Sequence, residues 1–213
     1  MLILKVDPER PDLDLIRVAA DVIRSGGLVI FPTETVYGLA ANALDPRAVK
    51  KVFEAKQRPL TAALPIQVGD RSALAEVADE LSDVALRLCE RYMPGPITLI
   101  VRRNVGLPDV VTAGAGTVGV RIPDNRVALA LLREVGGPIV ATSANVSGRS
   151  DPISADQAIG QIGGHVDVVL DAGPTRHGVA STVVDTTMDP PRVLRIGAIS
   201  MEEIRQIVGE IVE

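Results

Sequence analysis

Residues 28–58 read LVIFPTETVYGLAANALDPRAVKKVFEAKQR, and the changes of character along this stretch decide what fold surrounds it. Residues 28–31 are an apolar, β-branched run too short for a helix. Gly26 and Gly27 precede it and Pro32 follows, which predicts a buried strand. That strand delivers Thr33, Glu34, Thr35 and Tyr37 to one end of a sheet. Asp45 then supplies an N-cap and Pro46 the first helical position, with Val49, Val52, Phe53 and Lys56 following at helical spacing. The helix closes on Lys56 and Arg58. Hydroxyls beside two cations, joined by a tight loop, suit an anion and a small polar molecule bound together. A capped surface helix whose basic end complements its dipole accounts for the same letters, and this stretch alone leaves both readings open.

Composition narrows the choice. The chain has 213 residues, 46% of them hydrophobic but only 2% aromatic, so the core is built from Val, Leu, Ile and Ala and a ligand ring has few stacking partners. A net charge of −5 excludes a protein that coats polyanions with its whole surface and confines any anion site to a focused pocket. Cys89 is the sole cysteine, with no second thiol or nearby histidine, and is expected to pack in the core. The start, MLILKVDPER, lacks the features of a secretion signal, and no apolar run reaches membrane-spanning length. A cytoplasmic protein with no membrane partner is expected. Nothing reads as a Gly-, Ser- or Pro-rich linker, which predicts one domain over residues 1–213.

Outward from the opening stretch, residues 2–6 predict a strand and residues 11–25 a helix with Ile16, Ala19, Ala20 and Ile23 on one face. Residues 63–68 predict a strand, and residues 71–92 one or two helices broken near Ala78 and Asp79. MPGP at residues 93–96 is a rigid stop before a strand at 97–101, and residues 104–116 read as loop. GAGTVG at residues 114–119 matches the dinucleotide fingerprint in letters, but it opens a strand and meets Pro123, so these glycines read as loop backbone. A helix over 124–135 starts on Asp124 as N-cap and stops at Gly136. The strand at 138–141 then delivers TSANVSG at 142–148, either a polar nest aimed at a ligand or a turn that satisfies itself. Ser154 with Gln157 resembles a capping box, residues 166–170 predict a strand, and His165 and His177 have no partner at metal-binding spacing. Residues 181–185 and 192–195 predict a strand pair, and Ser200 with Glu203 caps a helix running to the end. Strands and helices alternate without a strict βαβ rhythm. The predicted class is therefore α/β (α+β), a mixed twisted sheet with packed helices.

The segments PTETVYGLA, KQRP, MPGPITLIV, GVRIP, TSANVSG, STVVD and RVLRIG occur in that order between about residues 26 and 199, and together they resemble the YrdC/YciO family of threonylcarbamoyl-AMP synthases. The resemblance implies a YrdC-like sheet with a concave site, in a short form. It implies formation of threonylcarbamoyl-AMP and pyrophosphate from L-threonine, bicarbonate and ATP, toward the threonylcarbamoyl group on adenosine 37 of tRNA. It further implies Mg²⁺ arriving with ATP, and tRNA or double-stranded RNA and downstream transfer proteins as partners. An RNA-binding protein like YciO, or another carbamoyl or adenylyl transferase, is the alternative.

Carried over residue by residue, the resemblance assigns Lys56, Arg58, Ser143 and Asn145 to the catalytic nucleotide signature. It assigns Arg58, Ala62, Thr117, Ser143, Asp151 and Arg195 to ATP, and Thr35, Gln67, Arg121, Ala141 and Ser181 to threonine, and leaves any metal ligands unassigned. Three positions depart from the family pattern: Ala62-Ala63 replaces a Lys or Asn followed by Pro, Gln67 stands where many relatives have histidine, and Asp151 replaces a common serine. No Gly-Lys pair occurs, so there is no P-loop, and nucleotide binding rests on the resemblance and the clustered cations.

Overall fold

The computed structural model describes residues 1–212. Ten strands pair into one sheet: β1 (Leu2–Lys5), β2 (Val29–Phe31), β3 (Gly38–Asn42), β4 (Ile66–Gln67), β5 (Ile97–Arg102), β6 (Thr117–Arg121), β7 (Ile139–Ser143), β8 (Val168–Asp171), β9 (Thr182–Asp185) and β10 (Arg192–Arg195). Their order is β1-β8-β2-β3-β7-β4-β6-β5-β9-β10. The β1–β8, β8–β2, β4–β6 and β5–β9 pairs are parallel and the rest antiparallel, the mixed sheet expected from the irregular rhythm of the sequence.

Helices cover both faces, and the two-residue period of the strands allots side chains between them. On one side lie α1 (Leu13–Arg24) and α5 (Arg126–Val135). Ile16, Ala19, Ala20 and Ile23 of α1, the four residues read as its inner face, meet Val127, Ala128, Leu131 and Leu132 of α5 there, together with Val29, Phe31, Ala40, Ile139 and Ala141 from the sheet. The intervening strand residues Ile30, Leu39, Ala41 and Val140 point into a larger core on the other side. That core also takes side chains from α2 (Pro46–Lys56), α3 (Asp83–Tyr92), α6 (Ala155–Ile162) and α7 (Met201–Val208), with α4 (Asp109–Thr112) beside α2. Each fully buried aliphatic side chain contributes about 1.5–3 kcal/mol to holding these layers together.

The cover of α1 and α5 reaches across the sheet only as far as β7. Beyond it Leu99, Val118, Val120 and Val184 still face the larger core, while Thr98, Ile100, Gly119, Arg121 and Val183 line an open face. Gly119 keeps that face clear, because a Cβ there would lie 3.2 Å from Thr98 Cγ2 and 3.3 Å from Ile100 Cδ1.

Several predicted elements shift. The sequence reading passes over β3, whose letters GLAAN have low strand propensity; its hydrogen bonds to β2 and β7 decide its conformation. The strand predicted over 63–68 is only Ile66–Gln67, and the 104–116 loop contains the one-turn α4. Residues 71–92 do break, into a 3₁₀ turn at Ser72–Glu76 and α3. The N-cap of α5 is Asn125, which accepts the Ala128 N–H at 3.0 Å, and not Asp124, which instead pairs with Arg176 at 3.0 Å. Ser154 accepts the Gln157 N–H, but Gln157 Oε1 accepts from Ile153 N, one residue short of a reciprocal box. Ser200 and Glu203 do form the full capping box, on a helix that ends at Val208 by Gly209; residue 213 lies outside the described residues. Cys89 is buried and free, the two histidines are exposed, and GAGTVG leads straight into β6 with no helix behind it.

Candidate active site

The open face carries a cavity of about 340 Å³ whose walls come from β4, β5, β6, β7 and β9, from the turn after β2 and from the segment before β9. Its two ends differ in charge.

At one end stands Arg121, the last residue of β6, almost wholly buried. Its Nε donates to the Gly95 carbonyl at 3.2 Å and its Nη2 to Thr35 Oγ1 at 3.0 Å. Nη2 also lies 2.7 Å from Glu34 Oε1, an ion pair too oblique to be a hydrogen bond. Nη1 has no protein partner among the described residues and is the guanidinium edge left for a ligand.

The direction of the neighbouring hydrogen bonds follows from counting protons. Thr33 Oγ1 is 2.6 Å from the Val36 carbonyl, so the single Thr33 hydroxyl proton lies there. The 2.9 Å contact between Thr33 and Thr35 hydroxyls must then use the proton of Thr35. Thr35 is left with a lone pair and no proton for the cavity, so it accepts from a ligand. Gln67, paired in register with Arg121, also lines the cavity; its Oε1 is sealed from solvent and has no partner among the described residues, which leaves its amide N–H group as the accessible edge. A guanidinium donor edge beside the Thr35 acceptor is the complement of an amino acid's carboxylate and amine.

At the other end Arg58 donates to the Ala62 carbonyl at 3.1 Å and the Ala63 carbonyl at 2.9 Å. Arg195 donates through Nε at 3.1 Å and Nη2 at 2.9 Å to the Ser181 carbonyl. Neither guanidinium is in an ion pair among the described residues, and burial pushes both below the usual arginine value while leaving them cationic. Asp151 is the one carboxylate on the wall.

Lys56 lies behind this end, its ammonium buried. Nζ donates to the Ser143 carbonyl, to the Asn145 carbonyl at 2.8 Å and to Asn145 Oδ1 at 3.0 Å, which uses all three N–H groups. Ser143 Oγ donates to the same Oδ1 at 2.7 Å, and Asn145 Nδ2 to the Arg149 carbonyl at 2.7 Å. Lys56 therefore staples the turn that presents Ser143. Its pKa is pushed down to about 8, by burial first and by Arg58 second, with Asp151 opposing. The neutral form is thus favoured in the fold, and above about pH 8 the corner loses a positive charge and the staple one donor. A polyanion bound at Arg58 and Arg195 restores the proton. Such a polyanion is accordingly expected to bind more weakly as pH rises through about 8, with more proton uptake at about pH 9 than at about pH 7. Calorimetry in buffers of different ionisation enthalpy measures this directly.

Thr35, Arg58, Gln67, Arg121, Ala141, Ser143, Asp151, Ser181 and Arg195 all stand on the cavity wall. Of the other residues singled out from the sequence, Asn145 lies with Lys56 behind the wall, Ala62 contributes its carbonyl to Arg58, and Thr117 is off the wall opposite Arg102. Thr33 and Thr98 line the cavity without having been assigned a role. The one available signal was position: Thr98 is the polar residue within the apolar run 97–101 of β5, where it meets Ser181 Oγ at 2.8 Å.

An acceptor-lined corner around a paired arginine, sharing one cavity with a corner of two unpaired arginines, defines an α/β domain shaped for a zwitterion beside a polyanion. The family Sua5_yciO_yrdC, described as telomere recombination, matches residues 21–197, and the chain belongs to it. A threonylcarbamoyl-AMP synthase of Pyrococcus abyssi is 46% identical over 196 residues, covering 92% of this chain and 58% of that protein. One from Bacillus subtilis is 43% identical over 194 residues, covering 91% and 56%. The chain thus spans little more than half the length of these two relatives. The crystal structure of P. abyssi Sua5 complexed with L-threonine superposes with a TM-score of 0.97 at 44% identity, covering all of this chain and 63% of that one.

Proposed function

We propose that the chain forms L-threonylcarbamoyl-AMP and pyrophosphate from L-threonine, bicarbonate and ATP. The observation that carries this reading is the single cavity holding both the Arg121–Thr35–Gln67 corner and the Arg58–Arg195 corner. The names of the relatives and the threonine-bound structure of one of them support it.

In this mechanism the threonine carboxylate binds Arg121 Nη1, Thr35 Oγ1 accepts a hydrogen bond from its amine, and the Gln67 amide N–H donates to its hydroxyl oxygen. The ammonium of threonine first gives a proton to water, and the free amine nitrogen then bonds to the carbon of bicarbonate with loss of water, giving a carbamate. A carbamate oxygen then bonds to the α-phosphorus as the bond from that phosphorus to the bridging oxygen breaks, and pyrophosphate leaves with the electron pair. No side chain need act as nucleophile, so the protein contributes alignment and charge. Arg58 and Arg195 stabilise the charge gathering on pyrophosphate. Ser143 turns its proton from Asn145 Oδ1 to a phosphate oxygen, and Lys56 keeps that Oδ1 satisfied when it does.

Magnesium is expected to arrive with the nucleotide, held by its phosphates. Asp151 on the wall would hold the hydrated ion, which would neutralise phosphate charge. The activated product then serves tRNA through separate transfer proteins. Among the described residues the wall carries no aromatic side chain on which a base could stack. No described helix is long and apolar enough to cross a membrane.

With MgATP, pyrophosphate release is expected only when threonine and bicarbonate are both present. Turnover indifferent to threonine in a pyrophosphate assay would refute the assignment.

A further inference from the structure

Glu34 is the residue of this region that the mechanism leaves without a task, and it is unusual. Its side chain is fully buried, its Oε1 makes only the oblique 2.7 Å contact with Arg121 Nη2, and its Oε2 has no partner among the described residues. The segment before β9 seals it in: His177 N donates to the Glu34 carbonyl at 2.8 Å and Gly178 N to the Thr35 carbonyl at 3.0 Å. Burying an ion pair with so few supporting hydrogen bonds is costly compared with an apolar pair of the same volume. Its retention beside a ligand cavity calls for a reason other than stability.

The charges supply one. Arg58 and Arg195 are in no ion pair among the described residues, although the Asp151 carboxylate acts on the charge of Arg195, whereas Arg121 is paired with Glu34. A zwitterion adds no net charge to the Arg121 end, and its carboxylate meets the free Nη1 edge. A phosphate group adds one to two negative charges beside a buried carboxylate, which a low-dielectric wall penalises strongly. We propose that Glu34 is a positioning and specificity residue: by holding Arg121 and neutralising it, Glu34 reserves that end of the cavity for amino-acid zwitterions and confines phosphate groups to the Arg58–Arg195 end. Without it the three arginines would offer one continuous polyanion site, and phosphates would compete with the amino acid. This inference rests on the reading of threonine and ATP as the two ligands.

Binding of L-threonine is measured by calorimetry with and without inorganic phosphate, in wild type and in Glu34→Gln and Glu34→Asp. In wild type, phosphate is expected to weaken ATP binding and leave the threonine Kd within about twofold. In Glu34→Gln the same phosphate concentration is expected to raise the apparent threonine Kd about tenfold. Glu34→Asp, which keeps the charge, is expected to restore exclusion of phosphate even where threonine binds more weakly. A merely structural defect would weaken threonine without creating competition by phosphate. The inference is overturned if phosphate already competes with threonine in wild type, if Glu34→Gln stays indifferent to it, or if Glu34→Asp admits it equally. Should neither variant fold, the wild-type competition alone decides. Wild-type protein that binds no threonine at all overturns the proposed function itself, a result distinct from threonine binding that phosphate disturbs.

Discussion

An Arg121→Ala protein is expected to be about 3–5 kcal/mol less stable than wild type and to bind no measurable threonine, because the substitution strands the buried Glu34 carboxylate as well as removing the ligand's anchor. The loss exceeds what a surface ion pair would give, for which about 0–1 kcal/mol is usual. Urea denaturation measures the stability and calorimetry the binding. The double substitution Arg121→Met with Glu34→Met separates the two contributions, since it removes both charges together. Much of the stability is expected to return in the double variant while threonine binding stays absent. If the double variant is no more stable than Arg121→Ala, the stranded carboxylate is not the source of the loss.

Lys56→Met is expected to act the other way round, modestly on stability and severely on turnover. Removing the ammonium leaves the carbonyls of Ser143 and Asn145 and the Asn145 side chain short of donors, but it also relieves the burial of a charge. These oppose one another, for a net loss of about 1–3 kcal/mol. Turnover depends on Ser143 being held where phosphate arrives, and the loss of one such preorganised donor lowers kcat by about 10²–10³-fold. The variant's ATP affinity is also expected to lose the pH dependence near 8 that Lys56 gives wild type. Steady-state kinetics and ATP titration at several pH values test both parts, and unchanged turnover would mean that the staple is dispensable.

Much of this arrangement was legible in the letters because local rules and tertiary structure agree. The Asp45-Pro46 start, the inner face of α1 and the Ser200–Glu203 box depend on neighbours within one helix, and each forms as read. The placing of nine assigned residues on one wall came through the ordered resemblance, which carries three-dimensional information that spacing alone does not. What could not be read is what partners across the sheet decide. β3 is a strand because β2 and β7 flank it. Lys56 looked like a phosphate ligand at a helix end, but its orientation depends on carbonyls of Ser143 and Asn145, more than eighty residues away in sequence. Glu34, lying between two threonines of a turn, gave no sign that it would be sealed beneath a segment from residues 173–180. The polarity of Thr35 is likewise set by an interatomic distance at Thr33, which no alphabet records.

The pairing of β1 with β8 has a further bearing, on how the molecule is made. Leu2 aligns with Val168 and Lys5 with Asp171, so the opening strand has no bonding neighbour until residue 171 has left the ribosome. Such distant closure slows folding. Through most of translation the nascent polypeptide trails an unpaired segment carrying Leu2, Ile3 and Leu4, the type of sticky edge that invites association between growing chains. Chaperone demand during synthesis is therefore expected to centre on residues 2–5, which lie away from the cavity.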